Sequence, residues 1–259
     1  MQTTKKQRIA IVGGGYAGML AAARIGQAAD VTLIDAQPGF VQRIRFHEAL
    51  AGSRLKTFAY GPALARRGVK FTQGFVEALD PAGGRVSGRA AGGGRIDLGY
   101  DTLILALGST TPAPLPGLAE HALRLNDAAT IQAAAARMPE LAGRGGRALV
   151  IGGGLTGLET ATELAERFPG LRVTLAVAGK LSAGSYAPKA LAHLGRTLEQ
   201  LGIEVREDAT IVAVEAGQAV CADGSALPFD ICVWNGGFAA SPLARAAGLA
   251  VDSLGRALV

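Results

Sequence analysis

The sequence predicts an α/β fold because one strand–turn–helix pattern occurs twice within its 259 residues. The first copy runs from the apolar strand 8–12 through Gly13, Gly15 and Gly18 into a helix of small residues. The second copy, residues 148–157, repeats the apolar strand, the glycine spacing and the helix. An internal duplication of this kind predicts two similar structural units in one chain.

Each glycine of the first copy has a physical task in a phosphate-binding turn. Gly13 lets the chain turn, Gly15 leaves room for a pyrophosphate beside the backbone, and Gly18 lets the helix pack close to the strand. The helix N-terminus offers free N–H groups and a positive dipole end to phosphate oxygens. Asp35 closes the next apolar strand, where an acid takes ribose hydroxyls. This order favours a dinucleotide site over a structural glycine turn.

The second copy has Gly152, Gly154 and Gly157 at the corresponding positions, and residues 173–175 repeat residues 31–33. Two nucleotide-binding units indicate two nucleotides. We therefore expect electron transfer between them.

Composition excludes several other classes of protein. Hydrophobic residues make up 49% of the chain, which is enough for a substantial core, so disorder is not predicted. The net charge of +5 comes from scattered basic residues rather than a run interleaved with aromatics, which argues against nucleic-acid binding. No segment has the roughly 18 uncharged apolar residues of a membrane span.

Cysteine and histidine patterns also point away from two kinds of site. Cys221 and Cys232 form no Cys-x-x-Cys pair and lie in apolar strand-like surroundings, so we expect buried thiols and no catalytic dithiol. The three histidines lack metal-ligand spacing, and no metal site is predicted.

Local patterns predict helices over residues 41–52 and 57–67. Arg43 and Arg45 of the first segment have two interpretations, as phosphate ligands or as solvated surface residues. For His47 in the same segment, a structural role is favoured over one near a redox centre.

Residues 69–80 predict a third parallel strand that continues into an antiparallel meander with glycine turns. The continuous apolar run 100–109 predicts a buried parallel strand, which ends in small residues that a ligand could approach. The proline-rich segment 110–117 predicts an extended linker, and we place a domain boundary there.

Four motifs in this order make the chain similar to the two-dinucleotide-binding-domain flavoproteins of the pyridine nucleotide-disulphide oxidoreductase superfamily. Within it, the chain most resembles the type II NADH dehydrogenases and related NAD(P)H:quinone oxidoreductases. The motifs are residues 13–18 with Asp35, residues 100–108, residues 152–157 with Glu159, and residues 230–237.

The resemblance implies two Rossmann-like domains of three-layer ββα character, the second inserted in the first. Residues 1–111 would begin the FAD-binding domain, residues 112–234 would bind NADH or NADPH, and residues 235–259 would return to the FAD-binding domain. In such proteins hydride passes from NAD(P)H to the flavin, and electrons then pass to a quinone-like acceptor. The cofactors carry this chemistry, so no catalytic side chain is predicted. A disulphide reductase is disfavoured by the missing cysteine pair.

The resemblance also assigns the cofactor-binding residues. The backbone near Val76 is expected to meet the adenine, Leu107 replaces the usual threonine beside the flavin, and Glu159 matches an acid near the nicotinamide, although a surface role for Glu159 stays open. The predicted cofactor-binding residues are Gly13, Gly15, Tyr16, Ala17, Gly18, Asp35, Ala36, Arg43, Val76, Ala106, Leu107, Gly108, Gly152, Gly154, Thr156, Gly157, Glu159, Gly236 and Gly237.

Two departures from the family pattern matter. Val177 and Ala178 stand where an acid would hold the NAD ribose, and Arg172 and Lys180 are close in sequence, so the choice between NADH and NADPH stays open. The family's later Gly-Asp motif and C-terminal region, which carry the acceptor face and contacts with a membrane or a second subunit, have no counterpart here.

We therefore expect either a fragment or a naturally shortened protein. The alternative function is a nucleotide-binding module without independent turnover. The expected location is cytoplasmic or peripheral to the inner membrane, with a homodimer as one possible assembly.

Overall fold

The fold is known from a computed structural model, which describes residues 6–181 and 186–258. The β-strands, in chain order, are β1 (Arg8–Val12), β2 (Asp30–Asp35), β3 (Gly39–Val41), β4 (Thr57–Ala59), β5 (Lys70–Asp80), β6 (Arg85–Ala90), β7 (Arg95–Gly99), β8 (Thr102–Leu105), β9 (Ser109–Thr110), β10 (Leu123–Arg124), β11 (Arg147–Ile151), β12 (Arg172–Ala176), β13 (Glu204–Arg206), β14 (Ile211–Glu215), β15 (Gln218–Cys221), β16 (Ala226–Pro228), β17 (Ile231–Trp234) and β18 (Ala239–Ala240).

The α-helices are α1 (Tyr16–Ile25), α2 (Phe46–Leu50), α3 (Tyr60–Ala65), α4 (Leu118–His121), α5 (Ala128–Gly143), α6 (Leu155–Arg167), α7 (Pro188–Gln200) and α8 (Leu243–Ala246). Short 3₁₀ helices lie at Gly26–Ala28 and Arg43–Arg45.

The chain divides by contacts into two compact units. The first comprises residues 1–41, 56–110 and 239–259, and the second comprises residues 42–55 and 111–238. Both segments of the second unit are thus inserted in the first, and the predicted α/β class is confirmed. By contacts the segment 42–55 belongs with the second unit, whereas the predicted nucleotide domains place it with the first.

The first unit is built on a six-stranded sheet with the order β7-β6-β5-β2-β1-β8. Strands β5, β2, β1 and β8 run parallel, while β6 and β7 continue from β5 as an antiparallel meander. Strand β5 belongs to both the parallel and the antiparallel part of this sheet, because its first half pairs with β2 and its second half with β6. The carboxyl ends of the parallel strands therefore share one edge, where α1 begins.

The second unit repeats this plan with a parallel sheet of order β10-β17-β11-β12-β13. A separate three-stranded antiparallel sheet, β14-β15-β16, packs on it through an apolar core that includes Leu149, Val214 and Trp234. Strands β11, β12 and β17 correspond in order and direction to β1, β2 and β8 of the first unit.

The duplication extends to one ion-paired aspartate in each unit. Asp101 accepts the backbone N–H of Arg8 at 2.8 Å, and Asp230 accepts the backbone N–H of Arg147 at 2.8 Å. The hydrogen bond from Arg147, with the charges of Arg144 and Arg147, holds the pKa of Asp230 below its ordinary value. Each aspartate thus joins the amino ends of two central strands.

Two predicted helices were wrong in part. Within residues 41–52 the helix is limited to α2 and the preceding 3₁₀ turn, and within residues 57–67 the first three residues form β4. Strands β3 and β4 pair with each other, and the rings of Phe40 and Phe58 stack with their centroids 4.9 Å apart. This pairing is non-local, so the periodicity of either segment alone does not reveal it.

Within the described ranges, no helix combines the length and the apolar character that a membrane span requires.

Candidate functional site

The first glycine turn joins the end of β1 to α1. The Gly13 N–H donates to the Ile34 carbonyl at 2.8 Å, and Gly13 has a φ of 103°, a conformation that glycine adopts without strain. A Cβ at Gly13 would meet the backbone carbonyl of Ala106, and a Cβ at Gly18 would meet the Gly13 carbonyl. The predicted residues Gly13, Gly18 and Ala106 are therefore packed together at the carboxyl edge of the sheet.

Gly15 differs from these glycines because a Cβ there would meet nothing within 4 Å. It is the N-cap of α1, and no side chain caps this helix end. The first N–H groups of a helix have no partners within the helix, so they are available to an anion. An open position beside uncapped N–H groups suits the diphosphate of a dinucleotide.

Gly14 lies between these glycines and is held by two side chains. Its N–H donates to Asp35 Oδ2 at 2.6 Å, and its carbonyl accepts the Tyr60 hydroxyl at 2.7 Å. Asp35 Oδ1 also accepts the Gln37 N–H at 2.7 Å, while the residue stays partly exposed at the end of β2. Asp35 therefore orients the turn and still has accepting capacity for a ribose.

Most of the other predicted residues of the first unit lie near this edge of the sheet and are exposed. Tyr16 and Ala17 open α1 and are exposed, as is Ala36 after β2, and Ala106 donates its N–H to the Val12 carbonyl at 2.8 Å. Leu107 and Gly108 follow β8 and are exposed.

Val76 lies on β5 with its side chain buried in the core, which leaves its backbone for the predicted contact with an adenine. Its neighbour Phe75 is 63% exposed. The contact of this segment with adenine stays a prediction.

The second glycine turn reproduces the first in the second unit. Gly152 has a φ of 121°, its N–H donates to the Ala176 carbonyl at 2.8 Å, and a Cβ there would lie 2.7 Å from the Asn235 carbonyl. A Cβ at Gly157 would meet the Gly152 carbonyl, whereas one at Gly154 would meet nothing within 4 Å. No side chain caps α6 at Gly154, so the same argument for a diphosphate holds here.

Thr156 lies in the first turn of α6 and is partly buried, and its carbonyl accepts the hydroxyl of Thr160 at 2.6 Å. Gly236 and Gly237 follow β17, which pairs with β11 so that Trp234 is opposite Ile151. By contacts, both glycines belong to the second unit.

Val177 occupies in the second unit the position that Asp35 occupies in the first, and it has no carboxylate. It follows β12, is only 8% exposed, and its two methyl groups would lie 2.6 and 3.0 Å from a Cβ at Gly153. Lys180, the nearest following cation, forms an ion pair with Asp208 and a second one with Glu207 at 3.4 Å. Because these two acids share Lys180, it is not a free cation for a 2′-phosphate.

Arg172, although close to Val177 in the sequence, does not lie near the ribose position. Arg172 begins β12, at the opposite end of the strand from Val177, and its Nε donates to the Gly145 carbonyl at 2.9 Å. Neighbours in sequence are separated here because an extended strand advances about 3.3 Å per residue.

Glu159 lies on α6 beside a residue that the sequence did not single out as functional. His47 on α2 is buried, with Nδ1 3.8 Å from Glu159 Oε2 and Nε2 3.8 Å from Glu48 Oε1. Helix α2 packs on both α5 and α6, which explains why residues 42–55 belong to the second unit. No local pattern signals this pair, because its members are more than 100 residues apart in the sequence.

Arg43 also belongs to the second unit. Its Nη2 donates to Asn126 Oδ1 at 2.8 Å, and burial lowers the pKa of its guanidinium. Asn126 in turn bonds the backbone of Thr111. These bonds tie the segment 42–55 to residues 111–126 of the same unit, and a phosphate contact of Arg43 stays a prediction.

Cys221 and Cys232 are buried free thiols. Among residues 6–181 and 186–258, no group of three or more His, Cys, Asp or Glu is placed to hold a metal ion.

A family model of the pyridine nucleotide-disulphide oxidoreductases matches residues 4–259. The chain belongs to this family. Membership confirms the family prediction and indicates FAD and NAD(P)H as the cofactors.

Two curated relatives of this family member are similar along most of its length. Demethylphylloquinone reductase NdbB of Synechocystis sp. is 28% identical, over 94% of this chain and 65% of the relative. The NADH dehydrogenase-like protein Rv1812c of Mycobacterium tuberculosis is 31% identical, over 96% of this chain and 67% of the relative. The chain thus spans about two thirds of the length of these relatives.

Solved structures share the fold at lower sequence identity. NDH2 of Plasmodium falciparum in complex with NADH has a TM-score of 0.80 at 17% identity, covering 93% of this chain and 57% of that chain. An NAD-dependent persulfide reductase from A. fulgidus has a TM-score of 0.79 at 24% identity, covering 96% of this chain and 49% of that chain. These matches show that the chain shares a fold built from Rossmann-type units.

Proposed function

We propose that the chain binds FAD in its first unit and NAD(P)H in its second, and acts in an NAD(P)H dehydrogenase that passes electrons to a quinone-like acceptor. The observation that carries the proposal is the repeated turn: Gly15 and Gly154 each occupy an open position at an uncapped helix N-terminus. One turn with an acid and one without suggest two different dinucleotides, because the residue after the second strand contacts the ribose.

FAD, when bound, supplies a ring that accepts hydride from NAD(P)H and passes electrons on. The protein's part is to bind and orient. The N–H groups at the start of α1 and α6 hold the two diphosphates, and Asp35 holds the ribose of the flavin nucleotide while fixing Gly14. Glu159, with His47 at 3.8 Å, presents a carboxylate on α6 for the nicotinamide end of NAD(P)H.

A quinone-like acceptor is favoured over a disulphide or persulfide by the chemistry of the thiols in this chain. Cys232 is buried, and burial raises the pKa of its thiol to about 12, so it is protonated at neutral pH and unreactive as a nucleophile. Cys221 is also buried. The demethylphylloquinone reductase among the relatives supports the same choice.

Two aspartate substitutions test the proposal by separating the sites. Gly15→Asp and Gly154→Asp place a carboxylate where a Cβ meets no protein atom, and aspartate is a good N-cap, so both variants should fold. The carboxylate would bond the helix N–H groups itself and repel a diphosphate. The assay is the visible absorbance of the purified chain with FAD, before and after adding NADH and then NADPH under nitrogen.

We expect the wild-type chain to show flavin bands that NAD(P)H bleaches. Gly15→Asp should be colourless yet still bind NAD(P)H, and Gly154→Asp should be coloured but bleach much more slowly. If the wild-type chain binds FAD but NAD(P)H never bleaches the flavin bands, the proposed oxidoreductase activity is refuted. A folded, colourless wild-type chain that binds NADH would support a nucleotide-binding module without turnover. Contacts with a membrane or a second subunit stay predictions.

A further inference from the structure

The Gly14–Gly15 peptide lies between the end of β1 and the open position before α1. Its carbonyl is the acceptor of a buried hydrogen bond from the Tyr60 hydroxyl, at 2.7 Å. Tyr60 is 3% exposed and is the first residue of α3, far from the turn in sequence. No motif of the chain points to this tyrosine, and the proposed chemistry does not use it.

The peptide geometry gives this hydrogen bond a directional consequence. In a planar trans peptide the carbonyl and the following N–H point in opposite directions, and the described chain has no cis bonds. A carbonyl of Gly14 that is held toward Tyr60 therefore turns the Gly15 N–H away from Tyr60. Gly15 itself faces open space, where a Cβ would meet nothing within 4 Å.

We infer that Tyr60 is a positioning residue for the FAD diphosphate, because its hydroxyl fixes the peptide plane whose Gly15 N–H donates to a phosphate oxygen. The inference rests on the proposed binding of FAD to the first unit. A donor that is oriented in advance does not have to be ordered when the ligand binds, so the affinity for the diphosphate rises.

The ring of Tyr60 cannot move freely away from the turn. It contacts Phe71 with ring centroids 5.1 Å apart, and a Cβ at Gly14 would lie 2.5 Å from its Cζ and hydroxyl oxygen. Burial, with the charge of Asp35, raises the pKa of the Tyr60 phenol, which keeps it a neutral donor. Asp35 holds the preceding N–H of the same glycine at 2.6 Å, so Gly14 is fixed on both sides.

The second turn is held differently and serves as an internal reference. There Gly153 packs against the methyl groups of Val177. Tyr60 belongs to the first unit. Loss of the Tyr60 hydroxyl should therefore affect FAD and leave NAD(P)H binding unchanged.

The test compares Tyr60→Phe with Tyr100→Phe in the 259-residue chain. Tyr100→Phe removes a hydroxyl in the same unit whose bond, to the Asp80 carbonyl at 3.4 Å, is exposed. The FAD dissociation constant is measured by equilibrium dialysis, and the NADH dissociation constant by quenching of Trp234, the single tryptophan. The ³¹P resonances of bound FAD report the diphosphate contacts directly.

We expect Tyr60→Phe to raise the FAD dissociation constant about tenfold and shift a ³¹P resonance, as loss of one buried hydrogen bond predicts. NADH binding should be unchanged, and Tyr100→Phe should match wild type. An FAD constant within twofold of wild type would overturn the inference. So would an equal loss of FAD and NADH binding, which would assign Tyr60 to the fold alone. A wild-type chain that binds no FAD would instead overturn the proposed function, and this inference with it.

Discussion

The end of β12 is the place where a single substitution should set the coenzyme preference. In the first unit Asp35 accepts the N–H of Gly14 at 2.6 Å, while in the second unit Val177 packs its methyl groups on Gly153. Val177→Asp therefore gives the second turn an arrangement that this protein already contains. We expect the variant to bind NADH more tightly and to bind NADPH less tightly than wild type.

The magnitudes follow from the surroundings of Val177. It is 8% exposed, so replacing it loses about 1.5–3 kcal/mol of apolar burial. A carboxylate that accepts the Gly153 N–H regains a charge-assisted bond of about 1.5–3 kcal/mol. The two terms nearly offset, and the midpoint of thermal unfolding should change by only about 2–4 °C.

Coenzyme affinity should change more than stability. One charge-assisted bond to a ribose hydroxyl, worth about 1.5 kcal/mol, lowers the NADH dissociation constant roughly tenfold. A 2′-phosphate about 4 Å from the carboxylate would be repelled by about 4 kcal/mol per unit charge before salt screening. Lys180 offers little compensation, because it is already paired with Asp208 and Glu207. The NADPH dissociation constant should therefore rise at least tenfold.

Titration of Trp234 fluorescence with each coenzyme measures both constants. Val177→Asn is the matched control, because it can bond a ribose hydroxyl but carries no charge. It should improve NADH binding slightly and leave NADPH binding unchanged. Equal effects of Val177→Asp on both coenzymes, in a folded protein, would refute the assignment of Val177 to the ribose position.

Three further outcomes follow from the packing and the titrating groups. Gly157→Ala should lower the midpoint of thermal unfolding by about 5 °C, because its Cβ would meet the Gly152 carbonyl; an unchanged midpoint in calorimetry would contradict this packing. Cys232 should resist thiol reagents in the native protein. Because burial raises its pKa, the Cys232 thiol loses its proton at lower pH in the unfolded chain than in the folded one. The free energy of unfolding measured in denaturant titrations should therefore fall as pH rises from about 9 toward about 12. The lowered pKa of Asp230 contributes stability above its ordinary value of 3.8 that is lost as pH falls through the folded pKa, so the stability difference between wild type and Asp230→Asn should shrink in acid; a constant difference would exclude the bond to Arg147 as its source.

The parts of the fold that the sequence predicted are those whose determinants lie close together in the chain. The strand, glycines and helix of each turn occupy about 20 consecutive residues, and steric demands at Gly13 and Gly18 leave few other conformations. Asp35 at the end of β2 was predicted because it, too, lies at a fixed short distance in the sequence from the glycines. Aspartate follows an apolar strand at the distance that the pattern requires.

The parts that it missed depend on partners far away in the chain. Tyr60 contacts Gly14 across 46 residues, and His47 meets Glu159 only because α2 packs on α6. Arg172 shows the converse, because it is close to Val177 in the sequence but lies at the other end of β12. Such contacts are set by the packing of whole elements, and a local pattern of apolar residues carries no information about them.

The two turns, alike in their glycines, differ in what holds them, and the proposed function gives this difference a reason. In the first unit Asp35 and Tyr60 fix Gly14 through hydrogen bonds at 2.6 and 2.7 Å, and the acid can also bind a ribose. A rigid turn with an additional ribose contact slows dissociation, which suits a flavin that stays bound through many turnovers.

In the second unit the apolar contact with Val177 offers no such ribose bond. A coenzyme that must leave after each hydride transfer gains nothing from tighter binding once the site is saturated, because uniform binding does not raise kcat. Val177→Asp should therefore tighten NADH binding and leave kcat unchanged, or lower it if release of the oxidised coenzyme becomes limiting.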